Sequence, residues 1–245
     1  ALHYYGFEDY KPIGGSSVKP FADAQSASSG FAKLYNGNIG GISLDNPTLG
    51  VPQLYTYKYD QLNRLLRTFT YNGLNTSTNT WNVSANQSFR EEFTYDANGN
   101  IEKLTRNGNT AIGPQLMDKF TYGYHKAGGK LLNNRLRHIK DTAPAENYAT
   151  DIDNQNDGNY IYDEIGNLIH DAQEGIAIDW NVYGKIKQIN KSAGNIAYTY
   201  DATGNRVRKN YIPAPNTGEE KATYYVRDAQ GNALAVYEKV GTTPL

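Results

Sequence analysis

The sequence has 245 residues, with 24 lysines and arginines against 25 aspartates and glutamates, and no cysteine. A chain of this length can bury a core, so a fully disordered protein is not the first expectation. The net charge of −1 argues against a protein that holds nucleic acid through a general basic surface. No apolar run approaches the roughly 20 residues that span a bilayer, so membrane insertion is not expected. The absence of cysteine excludes disulfides, thiolate metal sites and cysteine nucleophiles, but leaves the compartment open.

Tyrosine is unusually frequent, with 21 residues against 7 phenylalanines. A buried tyrosine hydroxyl needs a hydrogen-bond partner, so a closed core normally uses more Phe, Leu and Met. Many tyrosines are therefore expected on half-solvated surfaces, and β-strands favour aromatic side chains on such a pleated face. The first residues have neither a charged nor an apolar leader pattern, so any targeting signal is expected outside this chain.

A short motif with tyrosine, aspartate, glycine and asparagine recurs along the chain. Its residues are Tyr59, Asp60, Tyr95, Asp96, Gly99, Asn100, Tyr162, Asp163, Gly166, Asn167, Tyr200, Asp201, Gly204, Asn205, Asp228, Gly231 and Asn232. In the last copy the turn is kept, and the tyrosines are shifted upstream to Tyr224 and Tyr225. Degenerate copies lie at 34–39, 122–131 and 179–186. A period of about 20 residues indicates an array of small supersecondary units.

The residues of the motif predict a hairpin. In Asp96-Ala97-Asn98-Gly99 the carboxylate can accept backbone N–H groups, and glycine three residues later accepts a positive φ, which predicts a type I turn with a glycine bulge. Upstream of the turns, aromatic residues alternate with polar ones, as in Tyr55, Tyr57 and Tyr59, so one strand face is aromatic. After the turns the apolar spacing is irregular and predicts bulges or short strands. The predicted unit is a strand, a tight turn and a returning strand.

We therefore predict an all-β fold built as an array of antiparallel β-hairpins. A single domain is expected over 1–245, with a less regular lead-in over 1–50 that allows at most one short helix, and hairpin repeats over 51–240. Polar segments predict surface loops or long hairpin tips at 72–88, 106–114, 140–159 and 212–221. An ordinary β-sandwich of two packed sheets is the alternative architecture.

The repeated Tyr-Asp-x-x-Gly-Asn-x-(Leu/Ile/Val) motif resembles the tyrosine-aspartate (YD) repeats of the Rhs proteins, also found in the insecticidal toxin complexes and the teneurins. The resemblance covers about residues 34–234. Segments 9–14 and 34–39 also resemble the Rhs-type proteins of the Bacteroidetes. The resemblance implies that the hairpins form a curved, spiralling sheet, part of an Rhs-type β-shell that in several members encloses a C-terminal toxin.

The sequence departs from the bacterial shell proteins at one motif. Those proteins carry, after the last repeats, an Asp-Pro-x-Gly motif that releases the toxin by self-cleavage, and no match to it occurs here. The chain is therefore expected to be a segment of a larger shell, its open sheet edges covered by the remainder of that shell or by a protein partner. The resemblance further implies a toxin cargo or secretion machinery as partners, and a secreted or bacterial cell-surface location.

No residue pattern points to catalysis or to a cofactor. The histidines His3, His125, His138 and His170 are scattered and lack paired-ligand spacing. The repeat aspartates are explained as turn caps rather than as an acid/base pair, and no Gly-x-Ser-x-Gly elbow occurs. We therefore expect a protein that is not an enzyme, with no catalytic residue, no cofactor and no nucleic-acid partner.

One segment matches the spacing of a calcium-binding loop. Asp153, Gln155, Asp157, Gly158 and Glu164 follow the EF-hand pattern, with oxygen ligands around a turn glycine. Gln155 departs from the usual Asp or Asn, and the following residues 160–163 belong to a repeat strand rather than a helix. We favour an Asn/Asp-rich loop before a hairpin, with a calcium site as the alternative.

Two functions follow from these patterns. The leading prediction is a non-enzymatic structural segment of a secreted or surface shell that scaffolds or encapsulates a cargo such as a C-terminal toxin. The alternative is an extracellular carbohydrate- or protein-binding adhesion module, because aromatic stripes beside Asn-rich loops suit sugar rings. The two differ in whether one set of aromatic side chains is exposed and clustered or packed against the next hairpin. That set is Tyr55, Tyr57, Tyr122, Tyr124, Trp81 and Trp180.

Overall fold

A computed structural model gives the structure of most of the chain. The described residues are 1–5, 24, 31–46, 48, 50–81, 86–109, 113, 115–148, 150–215 and 217–241. Segment 9–14 and much of the stretch in which a short helix was allowed lie outside these residues. The regular elements of the described ranges are β-strands, with no α-helix among them, and the recorded strand pairs are antiparallel. The prediction of an all-β fold of antiparallel hairpins is confirmed.

The first ten strands form one large sheet and one small ribbon. They are β1 (Leu2–His3), β2 (Gly41–Leu44), β3 (Gln53–Tyr59), β4 (Leu65–Asn72), β5 (Leu74–Asn75), β6 (Thr80–Trp81), β7 (Asn86–Tyr95), β8 (Ile101–Asn107), β9 (Leu116–Ala127) and β10 (Lys130–Asp141). Strands β5 and β6 pair with each other, inside the segment predicted as a loop or a long hairpin tip. The other eight form a sheet whose spatial order follows the chain.

The remaining eight strands form a second sheet, again in chain order. They are β11 (Tyr160–Tyr162), β12 (Leu168–Asp171), β13 (Ile176–Trp180), β14 (Ile186–Lys191), β15 (Gly194–Tyr200), β16 (Arg206–Pro213), β17 (Lys221–Arg227) and β18 (Ala233–Val240). Sequential pairing of this kind is what a repeated strand–turn–strand unit produces, because each returning strand becomes the partner of the next hairpin.

The chain divides into two compact units. The first consists of residues 1–122 and 139–154, and the second of residues 123–138 and 155–245. The hairpin of β9 and β10 contributes residues to both. The single domain expected over 1–245 stays a prediction. No helix among the described residues has the length and apolar character needed to cross a membrane.

The first unit has a small hydrophobic core. Ala24, Leu54, Tyr71 and Trp81 are buried there, and Phe31, Phe69 and Leu74 pack against them. Along β3 the buried side chains are Leu54 and Thr56, whereas Tyr55 and Tyr57 are half-buried. The tyrosine face of this strand is therefore the half-solvated one, as the abundance of tyrosine predicts.

The second unit has little fully buried apolar surface. Among its described residues, Ala222 is the one buried hydrophobic side chain. Large apolar side chains are exposed on it, namely Leu132, Ile161, Ile165, Val182, Tyr183, Ile212, Val226, Leu234, Val236 and Tyr237. The second unit is therefore stabilised mainly by the hydrogen bonds between its strands and by cross-strand side-chain contacts, rather than by a closed core.

Candidate functional site

The hairpin turns share one set of backbone hydrogen bonds. In the turn at Asp96, the N–H of Gly99 donates to the carbonyl of Asp96 at 3.1 Å, and the N–H of Asp96 donates to the carbonyl of Asn100 at 2.9 Å. The same two bonds occur in the turns that begin at Asp60, Asp163, Asn181, Asp201 and Asp228. The strand register shifts at the residue before each of these positions. This is the geometry of a tight turn with a bulge.

The fourth turn position requires a left-handed backbone. Gly99 has a φ of 89° and Gly204 a φ of 84°. In the first repeat this position is occupied by Asn63, with a φ of 62°. Asparagine tolerates this conformation better than other side chains, which explains how the first repeat forms the turn without glycine.

The aspartate and the asparagine of the motif form one cap. Oδ1 of Asp96 accepts hydrogen bonds from the backbone N–H groups of Asn98 and Asn100, each at 2.9 Å, while the Asn100 amide donates to Oδ2 at 2.8 Å. The corresponding amide bonds join Asn167 to Asp163, Asn205 to Asp201 and Asn232 to Asp228. In the first repeat Arg64 Nε donates to Asp60 Oδ2 at 2.6 Å. The sequence predicted the aspartate cap but not this role of the asparagine.

These hydrogen bonds shift the acidity of the turn carboxylates. The side-chain amide and the backbone N–H of Asn232 hold the pKa of Asp228 below its usual value. The Thr203 hydroxyl and the Asn205 backbone do the same for the pKa of Asp201. At Asp96, partial burial raises the pKa, but the bonds from Asn100, Asn98 and Gly99 outweigh it and the net shift is downward. Each carboxylate is therefore held in its ionised form by the turn that it caps.

In five of these six turns, the residue before the first turn position donates a hydrogen bond to a main-chain carbonyl earlier in the chain. The hydroxyl of Tyr95 donates to the carbonyl of Leu65 at 2.7 Å, and that of Tyr200 to the carbonyl of Ile186 at 2.9 Å. Both acceptors are the first residues of strands that leave the preceding turn. We call this contact the inter-hairpin bond. Further examples are Tyr59 to Ile39, Trp180 Nε1 to Leu168 and Arg227 Nε to Arg206.

Arginine side chains reinforce these contacts. The Arg64 guanidinium lies 4.6 Å from the centre of the Tyr95 ring and donates from Nη1 to the Asp96 carbonyl. In the second unit, Arg135 lies over the Tyr162 ring and donates to the Glu164 carbonyl at 2.9 Å. Each arginine thus joins its own hairpin to the aromatic ring and the backbone of the next repeat.

The aromatic set that distinguishes the two predicted functions is not an exposed platform. Trp81 is buried, and the other five members, Tyr55, Tyr57, Tyr122, Tyr124 and Trp180, are half-buried. The Tyr122 ring packs edge-on against Phe120, and the Trp180 indole donates its inter-hairpin bond. Burial raises the pKa of Tyr55 and Tyr57. These rings therefore contact the protein rather than offer flat faces to solvent.

The histidines take structural positions. His3 is buried, with Nε2 2.6 Å from the Ser43 hydroxyl. The His138 ring lies directly over Gly123, where an added Cβ would come within 2.5 Å of the imidazole. His125 and His170 are half-buried in strands. None of the four belongs to the group of metal-compatible side chains found in the described residues.

The segment with calcium-loop spacing uses its polar groups on protein partners. Oδ1 of Asp157 lies 2.8 Å from both Arg137 Nε and His138 Nδ1. Gln155 is buried, and its amide donates to the Tyr160 hydroxyl at 2.9 Å. The polar groups of this segment are thus used on protein partners, which supports the interpretation as a polar loop before a hairpin.

Sequence reasoning missed a cluster of three aspartates in the first unit. Asp118, Asp141 and Asp151 each place a carboxylate oxygen within 4.8 Å of the other two. Partial burial raises the pKa of Asp151, and the negative charges of Asp118, Asp153 and Asp141 raise it further. The three residues have no motif spacing, because β9 and β10 bring the first two together and the third lies in the following segment. We call this group the acidic triad.

Comparison with known proteins gives structural similarity only. No protein-family model matches the chain, and no curated protein matches it. The chain is similar to the crystal structure of TcdB2-TccC3-TEV, with 17% identity and a TM-score of 0.46 over 80% of this chain and 11% of that chain. It is also similar to TcdB2-TccC3 without its hypervariable C-terminal region, with 18% identity and a TM-score of 0.45 over 78% of this chain. The match covers 10% of that second chain.

Proposed function

We propose that the chain is a non-enzymatic structural segment of a larger Rhs-type YD-repeat shell, secreted or held at a bacterial cell surface. The shell would scaffold or encapsulate a cargo such as a C-terminal toxin. The observation that carries the proposal is that the recurring side chains of the repeat are used for hairpin architecture. The aspartate and asparagine cap the turn, the glycine takes its left-handed position, and the aromatic residue bonds the preceding hairpin.

The exposed surface of the second unit supports a partner that covers it. On β18, Leu234 is 68% exposed and Val236 54% exposed. Apolar side chains of this size on a last strand favour further pairing or covering by protein. The remainder of the same shell is the partner that we propose, because an array of hairpins continues by adding strands to an edge of this kind.

The adhesion module is the weaker candidate. A glycan platform requires flat aromatic faces that are open to solvent, and the six aromatic residues on which this hypothesis rested are buried or half-buried. Trp180 and Tyr95 also use their polar atoms on main-chain carbonyls. The structural role therefore explains the positions of more aromatic residues than the adhesion role does.

The test uses the natural polypeptide that carries these residues. Intact mass and terminal sequencing define its length, and limited proteolysis follows each part of it. We expect a longer chain with a non-repeat tail that resists protease only while it is attached to the repeats. As a matched pair, a Tyr95→Phe/Tyr200→Phe variant should expose the tail to protease sooner than a Tyr55→Phe variant, because only the first loses inter-hairpin bonds.

Two results would overturn the proposal. A tail that is cleaved equally fast whether attached or free would contradict encapsulation. Hydrolysis of a defined substrate that one point mutation abolishes, without change in the circular dichroism spectrum, would contradict the non-enzymatic role.

A further inference from the structure

The acidic triad lies at the base of the hairpin formed by β9 and β10. Asp118 lies in β9, Asp141 is the last residue of β10, and Asp151 follows in the segment after it. The backbone N–H of Lys119 donates to Asp141 Oδ1 at 2.9 Å, which fixes Asp141 beside β9. One oxygen from each carboxylate lies within 4.8 Å of the other two. The hairpin thus brings together three carboxylates that the sequence separates.

Two of the three carboxylates are removed from solvent. Asp118 is 0% exposed and Asp141 9% exposed. Asp118 Oδ2 accepts a hydrogen bond from Arg106 Nε at 2.5 Å, and Asp141 Oδ1 accepts from Lys119 and Ala143. Asp118 Oδ1, in contrast, is buried and has no hydrogen-bond partner among the described residues. An unpaired buried carboxylate oxygen is costly, so Asp118, which belongs to a group of three carboxylates, has an oxygen that a ligand would satisfy.

The charges also call for a cation. Among the described residues, the ion pair found for the triad joins Arg106 to Asp118. One guanidinium therefore offsets the charge of three carboxylates. Like charges at these distances in a partly buried site repel one another strongly. Binding of a cation would relieve this repulsion and would also satisfy Asp118 Oδ1.

We propose that Asp118, Asp141 and Asp151 bind a divalent cation and that this cation is Ca²⁺. Carboxylate oxygens without histidine or cysteine select a hard cation over zinc or copper. Mg²⁺ keeps several of its waters and is usually bound through one or two carboxylates, whereas Ca²⁺ accepts more protein oxygens in a flexible geometry. A group of three carboxylates therefore suits Ca²⁺ better. The ion would join the segment after β10 to the base of the hairpin.

The experiment titrates CaCl₂ into chelator-treated protein and follows binding by calorimetry and thermal unfolding. We expect one bound Ca²⁺ per chain and a rise in melting temperature of roughly 5–10 °C at saturation. The decisive variant is Asp151→Asn, because Asp151 is only half-buried and lies outside the strands. It should weaken Ca²⁺ binding by about tenfold or more and abolish most of the thermal shift. MgCl₂ should bind more weakly to the wild-type protein.

The matched control is Asp153→Asn, which removes the same charge from an exposed residue of the same segment outside the triad. It should leave both the affinity and the thermal shift within twofold of wild type. If wild type binds no Ca²⁺ at millimolar concentration, or if the two variants bind equally well, the proposal is wrong. If Asp151→Asn does not fold, as judged by circular dichroism, Asp141→Asn takes its place with the same expectation. The outcome does not depend on the cargo test above.

Discussion

The hydroxyl of Tyr95 donates a hydrogen bond to the carbonyl of Leu65, 30 residues earlier in the chain, at 2.7 Å. Tyr95 is the last residue of β7 and Leu65 the first residue of β4, so the bond joins the turn of one hairpin to the start of a strand in the previous one. Trp180 and Leu168 make the corresponding contact in the second unit. These bonds fix a turn to an earlier part of the array, which maintains order where there is little closed core.

The inter-hairpin bond predicts a specific loss of stability in Tyr95→Phe. Phenylalanine keeps the ring under Arg64 and removes only the hydroxyl, so the Leu65 carbonyl loses its donor. We expect the free energy of unfolding to fall by about 1 kcal/mol, measured by urea denaturation. The control is Tyr55→Phe, because the Tyr55 hydroxyl bonds Gln53 in its own strand. Equal losses of unfolding free energy in the two variants would show that the inter-hairpin bond stabilises the protein no more than a bond within one strand.

The left-handed turn position predicts an order among substitutions at Gly99. An added Cβ would meet no atom closer than 3.9 Å, so the cost comes from the φ of 89° and not from a clash. Gly99→Ala should lower the free energy of unfolding by about 1–2 kcal/mol. Gly99→Asn should cost less, because Asn63 occupies the same turn position with a φ of 62°. A reversed order of the two variants in thermal or urea unfolding would contradict this explanation.

The hairpin turn was predictable from sequence because its determinants are local. Asp96 and Gly99 are three positions apart, and the carboxylate cap and the positive φ act within that interval. The acceptor of the inter-hairpin bond was not predictable, since it is a main-chain carbonyl whose position depends on strand register. In the last repeat Arg227, not Tyr224 or Tyr225, takes the position of the tyrosine and donates Nε to the Arg206 carbonyl.

The acidic triad was also not predictable from the sequence. Asp118 and Asp141 are brought together only after β9 and β10 have paired, and Asp151 reaches them from an irregular segment. No spacing rule of the kind that identifies an EF-hand loop applies to such a group. The loop that did match that spacing has Asp157 paired with Arg137. Metal ligands provided by non-local pairing require the structure, whereas ligands provided by one continuous loop can be inferred from spacing.

The cap predicts that asparagine can replace aspartate where alanine cannot. Asn181 occupies the first turn position in the degenerate repeat, and its Oδ1 accepts from the N–H groups of Tyr183 and Lys185, each at 3.0 Å. Asp96→Asn should therefore retain the bonds to Oδ1 and lose only the amide bond from Asn100. Asp96→Ala should lower the melting temperature by about 2–4 °C, and Asp96→Asn by less than half as much. Scanning calorimetry measures both, and equal shifts would contradict the role of Oδ1.

The turn carboxylates also predict how stability depends on pH. Hydrogen bonds hold the pKa of Asp60, Asp96, Asp163, Asp201 and Asp228 below the usual value. In the unfolded chain these groups titrate near about 3.9, so the folded state binds fewer protons at that pH. Their stabilising contribution is complete above this value and is lost as the pH falls through the lower folded-state pKa values. We therefore expect the melting temperature to change little between about pH 5 and 7 and to fall below about pH 4.

A double variant tests whether the turns cause this acid sensitivity. Asp201→Asn/Asp228→Asn removes two of the titrating groups while Oδ1 of each side chain remains available to the turn, as it is in Asn181. The fall in melting temperature below about pH 4 should become shallower than in wild type, because fewer protons are taken up on unfolding. The control, Gly204→Ala, strains one of the same two turns through its φ of 84° without changing charge, and an added Cβ there would meet no atom closer than 3.8 Å. It should lower the melting temperature at every pH and leave the slope unchanged. An unaltered slope in the aspartate variant would assign the acid sensitivity to other carboxylates.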